Sequence, residues 1–213
     1  SFKIGERCQI HPSVVINVKY GFIGAGAVIN EGARIEGSHV EIGRECFIDR
    51  GGTIGGGSCF DPQASLKAGD WLHMGWNSQV NIARGVVIGH EFGCGIETKI
   101  FTHGAYIDSY NLGAPVQWDS VEIGDSVWMP SAWVNPGVRV GSNIIVTPRS
   151  LVKDDVPSGS LVGGSPAKIL KENFLPRPPS AEARTNHIQQ IFNQALLRHT
   201  AQDPKSQGAQ LEL

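Results

Sequence analysis

An apolar residue recurs at every sixth position along most of this chain. From Ile4 the hexads read IGERCQ, IHPSVV and INVKYG; the frame then skips one residue and restarts at Ile23 and, in the same way, at Ile42. These restarts are 19 residues apart, three hexads plus one residue. We therefore expect a triangular prism of coils, in which the first residue of each hexad points inward and stacks on its equivalent one coil away.

Glycine usage supports this interpretation. The 213 residues include 27 glycines, well above the usual share of ~7%. Several directly follow the first residue of a hexad, as at Gly5, Gly24 and Gly43, where a tight corner needs a residue that causes no Cβ clash. The fifth position of the hexad is often small, as at Cys8 and Ala27, which suits a narrow interior. A helical fold is excluded because so many glycines and prolines would break helices.

The hexads across residues 4–170 resemble those of the hexapeptide-repeat acyltransferases, in particular the sugar O- and N-acetyltransferases. The resemblance implies an all-β fold, a left-handed parallel β-helix, although crossover connections between parallel strands are usually right-handed. We expect the β-helix at 1–170 with an inserted loop at 104–120, a C-terminal helical extension at 171–200 and a disordered tail at 201–213. In the extension, PRPPS ends the repeat and Ser180 is a plausible N-cap of an amphipathic helix.

The repeat stops at a histidine. It runs to Thr102, and seventeen residues, Gly104–Ser120, then pass before it resumes with VEIGDSVW. A long loop in an otherwise minimal repeat is usually functional. Of the seven histidines, only His103 lies where a coil opens into an insertion, and a neutral imidazole with a pKa near ~6.5 can act as a base at neutral pH. The alternative is a loop histidine bonded to a backbone carbonyl.

Two segments beside this break resemble the acceptor site of sugar acetyltransferases. PVQWDSVEIGDSVWMP is similar to the family segment that follows the loop after the catalytic histidine. The resemblance implies that His103 is the general base, which deprotonates an acceptor hydroxyl or amine for attack on a thioester. NIARGVVIG resembles a segment whose asparagine binds an acceptor hydroxyl, which implies that role for Asn81; a structural corner asparagine is an equal alternative. Tyr106, Asp108 and Trp118 are expected to contact a sugar or nucleotide-sugar acceptor.

The later coils resemble the coenzyme A region of the same family. VWMPSAWVNPGVRVGSN and LVGGSPAKILK carry the similarity. It implies that five side chains face the pantetheine arm or the nucleotide phosphates of acetyl-CoA, namely Ser131, Arg149, Lys153, Lys168 and Lys171. A solvated basic edge is the alternative. One departure is VTPRSLV, where the family usually has IGAGSVV, because Pro148 lacks the backbone N–H that commonly bonds pantetheine.

Charge and spacing restrict the remaining function classes. A net charge of −2 argues against nucleic-acid binding, and no apolar run approaches the ~18 residues of a membrane span. The four cysteines form no CxxC pair, which indicates buried thiols in the cytoplasm.

No histidine pair has the H-x4-H spacing of a γ-class carbonic anhydrase, so we expect no metal. A non-catalytic assembly protein remains an alternative to the acyltransferase, for which the resemblance implies a homotrimer.

Overall fold

The computed structural model describes residues 1–104, 111, 113 and 116–202, with side chains to residue 196. The chain forms two compact units, Ser1–Pro176 and Arg177–Leu213. The division follows Pro176, whereas the sequence suggests an end of the repeat at 170. The predicted tail lies outside the described residues from 203 onward.

The first unit is built from short strands. They are β1 Phe2–Ile4, β2 Gln9–Ile10, β3 Val15–Ile23, β4 Val28–Ile29, β5 Arg34–Ile42, β6 Phe47–Ile48, β7 Thr53–Gly55, β8 Ser65–Ala68, β9 His73–Met74, β10 Gln79–Asn81, β11 Val86–Ile88, β12 Gly93–Cys94, β13 Lys99–Ile100, β14 His103–Gly104, β15 Gln117–Trp118, β16 Val121–Ile123, β17 Val127–Met129, β18 Trp133–Val134, β19 Arg139–Val140, β20 Ile144–Val146, β21 Leu151–Val152, β22 Leu161–Gly164 and β23 Ala167–Lys171.

Nearly all of these strands pair in parallel with the equivalent strand of the next repeat, in a 12-stranded and a 9-stranded sheet. Residues of β1 lie opposite residues of β3, with Ile4 opposite Ile23, and Ile23 lies opposite Ile42 in β5. Ile23 and Ile42 are at most 1% exposed. The predicted inward stacking of the first hexad residues is therefore confirmed for these coils. The exceptions are the antiparallel pairs β14–β15 and β22–β23.

The corner glycines permit close approach between coils. A Cβ added to Gly24 would lie 2.6 Å from the carbonyl carbon of Gly43 and 2.7 Å from the nitrogen of Arg44. Gly24 and Gly43 do not have positive φ angles. The left-handed conformation falls two residues after a corner glycine, as at Glu45 after Gly43 and at Trp71 after Gly69, with φ of 55° and 60°. The predicted need for glycine at the corners is correct, and its cause is the backbone of the neighbouring coil.

A ladder of polar side chains satisfies backbone N–H groups along one corner. Asp70 Oδ1 accepts a hydrogen bond from the N–H of Arg44 at 2.7 Å, and His90 Nδ1 accepts one from the N–H of Asp70 at 3.1 Å. Asp125 Oδ1 accepts from the N–H of His90 at 2.6 Å. Each side chain thus bonds the backbone of the preceding coil. The hydrogen bond from the Arg44 guanidinium also lowers the pKa of Asp70, so this carboxylate stays charged near neutrality.

Three of the four cysteines lie in the interior of the coils. Cys46, Cys59 and Cys94 are buried, Cys8 is half-buried, and all four are free. Burial raises the pKa of Cys46 to about 12 and that of Cys94 to about 11. These thiols therefore pack as small apolar groups.

The second unit contains one helix, α1 Ala181–Gln202. Its predicted N-cap is confirmed, since Ser180 Oγ accepts a hydrogen bond from the N–H of Ala183 at 3.1 Å. Ile188, Ile191 and Phe192, placed on one face by their spacing, are 53%, 52% and 69% exposed. Among the helices of the described residues, none is long and apolar enough to cross a membrane.

We predict that Gly24→Ala lowers the free energy of unfolding by roughly 1–3 kcal/mol, because its Cβ would meet backbone atoms that cannot rotate away. Gly57→Ala is the matched control, since nothing lies within 4 Å of a Cβ at that position, and it should change stability by less than about 0.5 kcal/mol. Urea unfolding followed by circular dichroism measures both. Equal effects would show that coil spacing does not depend on the corner glycine.

Candidate active site

The coil opens at His103 because the chain leaves the parallel sheet there. Ile100 at the end of β13 is fully buried and pairs with Val80 and Val134 in the neighbouring coils. Three residues later, β14 begins and pairs antiparallel with β15, so that His103 lies opposite Trp118. The N–H of Asp119 donates to the carbonyl of Thr102 at 3.0 Å. The insertion therefore leaves and re-enters the coil through one short antiparallel pair.

The imidazole of His103 is held on one face and at one nitrogen. Its ring stacks on Trp118 with a centroid distance of 4.9 Å and an interplanar angle of 18°. Its Nδ1 lies 3.0 Å from Oδ1 of Asn81, which is on β10 one coil earlier. His103 is half-buried. Within the described part of the chain, no residue hydrogen-bonds its Nε2.

The hydrogen bonds of Asn81 determine which nitrogen of His103 carries the proton. Asn81 Oδ1 accepts from the N–H of Ala83 at 3.3 Å, and Nδ2 donates to the carbonyl of Gly55 at 3.3 Å. A backbone N–H can only donate and a carbonyl can only accept, so the amide orientation is fixed. His103 Nδ1 therefore faces an acceptor and must carry hydrogen. In the neutral ring this leaves Nε2 with a free lone pair.

Thr102 completes this network from inside the coil. It is fully buried, and its hydroxyl donates to Asn81 Oδ1 at 2.6 Å. The Thr102 hydroxyl oxygen itself accepts a hydrogen bond from the backbone N–H of Arg84 at 3.1 Å. The network therefore connects the last inward residue before the insertion to the residue that contacts His103.

Arg84 is a site residue that the sequence analysis did not single out. Its guanidinium carbon lies 4.5 Å from the centroid of the Trp118 ring, and its Nη1 donates to the carbonyl of Ala83 at 2.7 Å. Asp61 lies 3.8 Å away and offsets part of its charge. The available signal was its position three residues after Asn81, inside NIARGVVIG. The arrangement places a cation beside the ring that stacks on His103.

The predicted acceptor residues have different positions. Asn81 is 2% exposed with both ends of its amide hydrogen-bonded inside the protein, which favours the structural alternative for it. Trp118 is half-buried against His103. Tyr106 and Asp108 lie outside the described residues.

Two predicted donor-binding residues, Ser131 and Arg149, line one cavity of about 430 Å³ together with Trp133 and Ile96. Both adopt the left-handed conformation, with φ of 51° and 57°, which is where the corner of each coil turns. Ser131 Oγ donates to the carbonyl of Ile96 at 2.7 Å. Trp133 packs edge-on against Phe101, with ring centroids 5.8 Å apart. The cavity thus combines an apolar wall with the guanidinium of Arg149 and the carboxylate of Glu97.

The three predicted lysines do not share that cavity. Lys153 and Lys168 line a neighbouring one of about 310 Å³, where Lys153 Nζ lies 3.1 Å from Oδ1 of Asp154. Lys171 lies over the ring of Phe174, with Nζ 5.6 Å from the centroid. The lysines therefore form a separate, partly neutralised edge.

The backbone around Pro148 offers no substitute for the missing N–H. The N–H of Thr147 bonds the carbonyl of Val162 at 2.8 Å, and the N–H of Arg149 bonds the carbonyl of Ser131 at 3.1 Å. Both neighbours of Pro148 are therefore engaged within the protein. Among the residues with described positions, no group of three His, Cys, Asp or Glu side chains could hold a metal ion.

Comparisons with known proteins agree on one enzyme class, although no family model matches the chain. YvoF of Bacillus subtilis, which carries a provisional assignment as an acetyltransferase, is 36% identical over 76 residues, 36% of this chain and 41% of that protein. The chain thus matches less than half the length of this relative. The galactoside O-acetyltransferase of Escherichia coli is 23% identical over 144 residues, 63% of this chain and 70% of that protein.

The fold is also found in a solved structure. AntD, an N-acyltransferase from Bacillus cereus in complex with dTDP-4-amino-4,6-dideoxyglucose and coenzyme A, superposes with a TM-score of 0.58 at 15% identity, over 89% of this chain and 90% of that one. The relatives and this structural neighbour are acyltransferases. The resemblance to the hexapeptide-repeat acyltransferases that the sequence motifs indicate is thereby confirmed.

We predict that Thr102→Val lowers the free energy of unfolding by about 1–3 kcal/mol, because valine leaves the half-buried N–H of Arg84 without an acceptor. Thr53→Val is the control, since its hydroxyl makes a single 3.3 Å bond to the carbonyl of Gly51 in a half-buried position, and should cost less than about 0.5 kcal/mol. Urea unfolding measures both. A loss at Thr102 no larger than at Thr53 would show that the hydroxyl is not needed by the network.

Proposed function

We propose that this chain transfers an acyl group, most favourably acetyl, from coenzyme A to a hydroxyl or amine of a sugar or nucleotide-sugar, with His103 as general base. One observation carries the proposal. Asn81 holds the His103 ring with hydrogen on Nδ1, so the free lone pair of Nε2 is the one left for an acceptor. This geometry occurs at the one place where the insertion interrupts the coils.

The reaction needs only proton transfer and direct attack. Nε2 of His103 takes the proton from the acceptor oxygen or nitrogen as that atom bonds to the thioester carbonyl carbon. The tetrahedral intermediate collapses and the C–S bond breaks. The departing thiolate takes the proton from the imidazolium, which returns His103 to its neutral state. While the ring is positive, the hydrogen bond from Nδ1 to Asn81 Oδ1 stabilises the charge.

The donor is proposed to occupy the cavity of Ser131 and Arg149. Trp133 and Ile96 supply apolar surface suited to the pantetheine arm, and Arg149 can pair with a phosphate. Lys153, Lys168 and Lys171 remain proposed contacts of the nucleotide end. Because Pro148 and its neighbours provide no free N–H, the pantetheine amide must bond elsewhere in this chain.

The acceptor is proposed to contact Trp118 and the loop residues Tyr106 and Asp108. A galactoside is acetylated by one relative and a nucleotide-linked aminosugar is bound by the structural neighbour, which supports a carbohydrate acceptor without deciding between hydroxyl and amine. Trp118 offers an aromatic face beside the base.

The architecture is proposed to close into a left-handed β-helix over residues 1–170, the extension expected at 171–200 is helical only in α1, Ala181–Gln202, and three copies are proposed to form a homotrimer. In-register parallel pairing through successive coils supports the first statement. The homotrimer rests on the resemblance alone.

We predict that His103→Ala lowers kcat by about 10²–10⁴-fold, the usual worth of a general base, with little change in the Kd of coenzyme A. Thiol release from acetyl-CoA, measured with a panel of sugars and nucleotide-sugars, provides the assay. His90→Ala is the control, because His90 Nδ1 is used by the backbone of Asp70, and should cost less than about 10-fold. Loss of turnover in His90→Ala with normal turnover in His103→Ala would contradict the assignment.

We predict that Arg149→Ala raises the KM for acetyl-CoA by about 10-fold, as expected when one charge-assisted contact worth ~1.4 kcal/mol is lost, and leaves the acceptor KM within about twofold. Lys67→Ala, on the outer side of β8, removes a cation elsewhere and should change neither constant. An Arg149→Ala enzyme with an unchanged donor KM would separate this cavity from donor binding.

A further inference from the structure

We infer that Asn81 is a positioning residue for His103, and that Gly55 and Gly56 form the socket that holds its amide. The sequence resemblance assigns Asn81 to the acceptor instead. The kinetic consequences rest on the proposed function, whereas the hydrogen-bond arrangement can be tested without any substrate.

Asn81 is nearly inaccessible to an acceptor hydroxyl, and its Oδ1 is already engaged. It is 2% exposed. Its Oδ1 is surrounded by three donors, the N–H of Ala83, the hydroxyl of Thr102 and Nδ1 of His103. Its Nδ2 donates to the carbonyl of Gly55. An acceptor sugar could reach the amide only by displacing contacts that are made inside the coil.

The socket depends on two glycines in the preceding coil. Gly55 and Gly56 have φ angles of 136° and 97°, which side chains rarely adopt. This backbone turns the Gly55 carbonyl toward Asn81 Nδ2. A Cβ on Gly56 would lie 2.9 Å from that nitrogen, whereas a Cβ on Gly57 would meet nothing within 4 Å. Gly56 therefore makes room for the amide of Asn81, whereas Gly57 does not contact it.

The amide in turn determines the state of the base. Because the Gly55 carbonyl and the Ala83 N–H fix the amide orientation, His103 can bond Asn81 only through a protonated Nδ1. Trp118 restricts the ring to one plane by stacking on it. Asn81 thus holds the edge of the His103 ring and Trp118 holds its face. Together they fix the direction in which the lone pair of Nε2 points.

The decisive experiment records long-range ¹H–¹⁵N spectra of the ¹⁵N-histidine-labelled protein above the pKa of its histidines. His103 is identified as the resonances that disappear in His103→Gln. We expect an unprotonated Nε2 in the wild type, a shift toward the Nε2–H tautomer in Asn81→Leu and in Gly56→Ala, and no shift in the matched control Gly57→Ala. An Nε2–H tautomer in the wild type, or an unchanged tautomer in a folded Asn81→Leu protein, would overturn the inference.

Kinetics separate the two roles of Asn81. A positioning residue predicts that Asn81→Leu lowers kcat by about 10- to 100-fold, the scale of a small misplacement of a reacting group, with the acceptor KM within about twofold. A higher acceptor KM at nearly normal kcat would show an acceptor ligand and contradict the inference.

Asn81→Asp provides a second test, because a carboxylate still accepts from Nδ1 and also favours the imidazolium. It also removes the Nδ2 donor to the Gly55 carbonyl, so kcat should fall, and the acidic limb of the pH profile should move to higher pH because the added negative charge stabilises the imidazolium. An acidic limb that stays at the wild-type pH in Asn81→Asp would contradict the contact between Asn81 and His103 Nδ1. If the tautomer results hold while His103→Ala retains activity, the proposed function fails and the positioning contact stands.

Discussion

Close backbone approach between successive coils is the constraint on which the rest of this molecule depends. The N–H of Gly5 bonds the carbonyl of Ile23, and the N–H of Gly24 bonds that of Ile42, both at 2.8 Å. These bonds require corner carbons so near each other that a single methyl group would collide. The inward stacking of isoleucines, the left-handed turn residues and the ladder from Arg44 to Asp125 all assume that spacing.

The candidate site depends on the same close spacing between coils, but the chain leaves the parallel stack at His103. Gly55, Asn81 and Thr102 occupy one corner region in successive coils, where their polar atoms come within hydrogen-bonding distance. At His103 the next strand is antiparallel, so the imidazole leaves the stack while its Nδ1 still contacts Asn81. A regular scaffold thereby fixes one side of a base whose other side is open for chemistry. We regard this combination as the reason the repeat ends at a histidine.

The sequence predicts what depends on period and composition. Inward stacking at Ile23 and Ile42, the N-cap at Ser180 and the special position of His103 follow from spacing alone. The contacts of Arg84 and Asn81 could not be predicted in this way, because they depend on side-chain direction across coils and across the insertion. Trp71 and Trp76 are 55% and 46% exposed within this chain, and Trp71 takes a left-handed turn that few tryptophans adopt. Tyr106 and Asp108 stay predictions.

The placement of Asn81 and His103 on consecutive coils has a consequence for folding. A slip of one whole hexad in the pairing of β7 with β10 would keep an apolar residue opposite Val80, but it would separate Asn81 from the Gly55 carbonyl. Repetitive sequences invite such slips because neighbouring hexads are nearly interchangeable partners. A misaligned stack could still bury its isoleucines and look native by spectroscopy of the backbone. Only a correctly aligned stack would present an unprotonated Nε2. The tautomer of His103 therefore reports on the alignment of the coils that carry Gly55, Asn81 and Thr102.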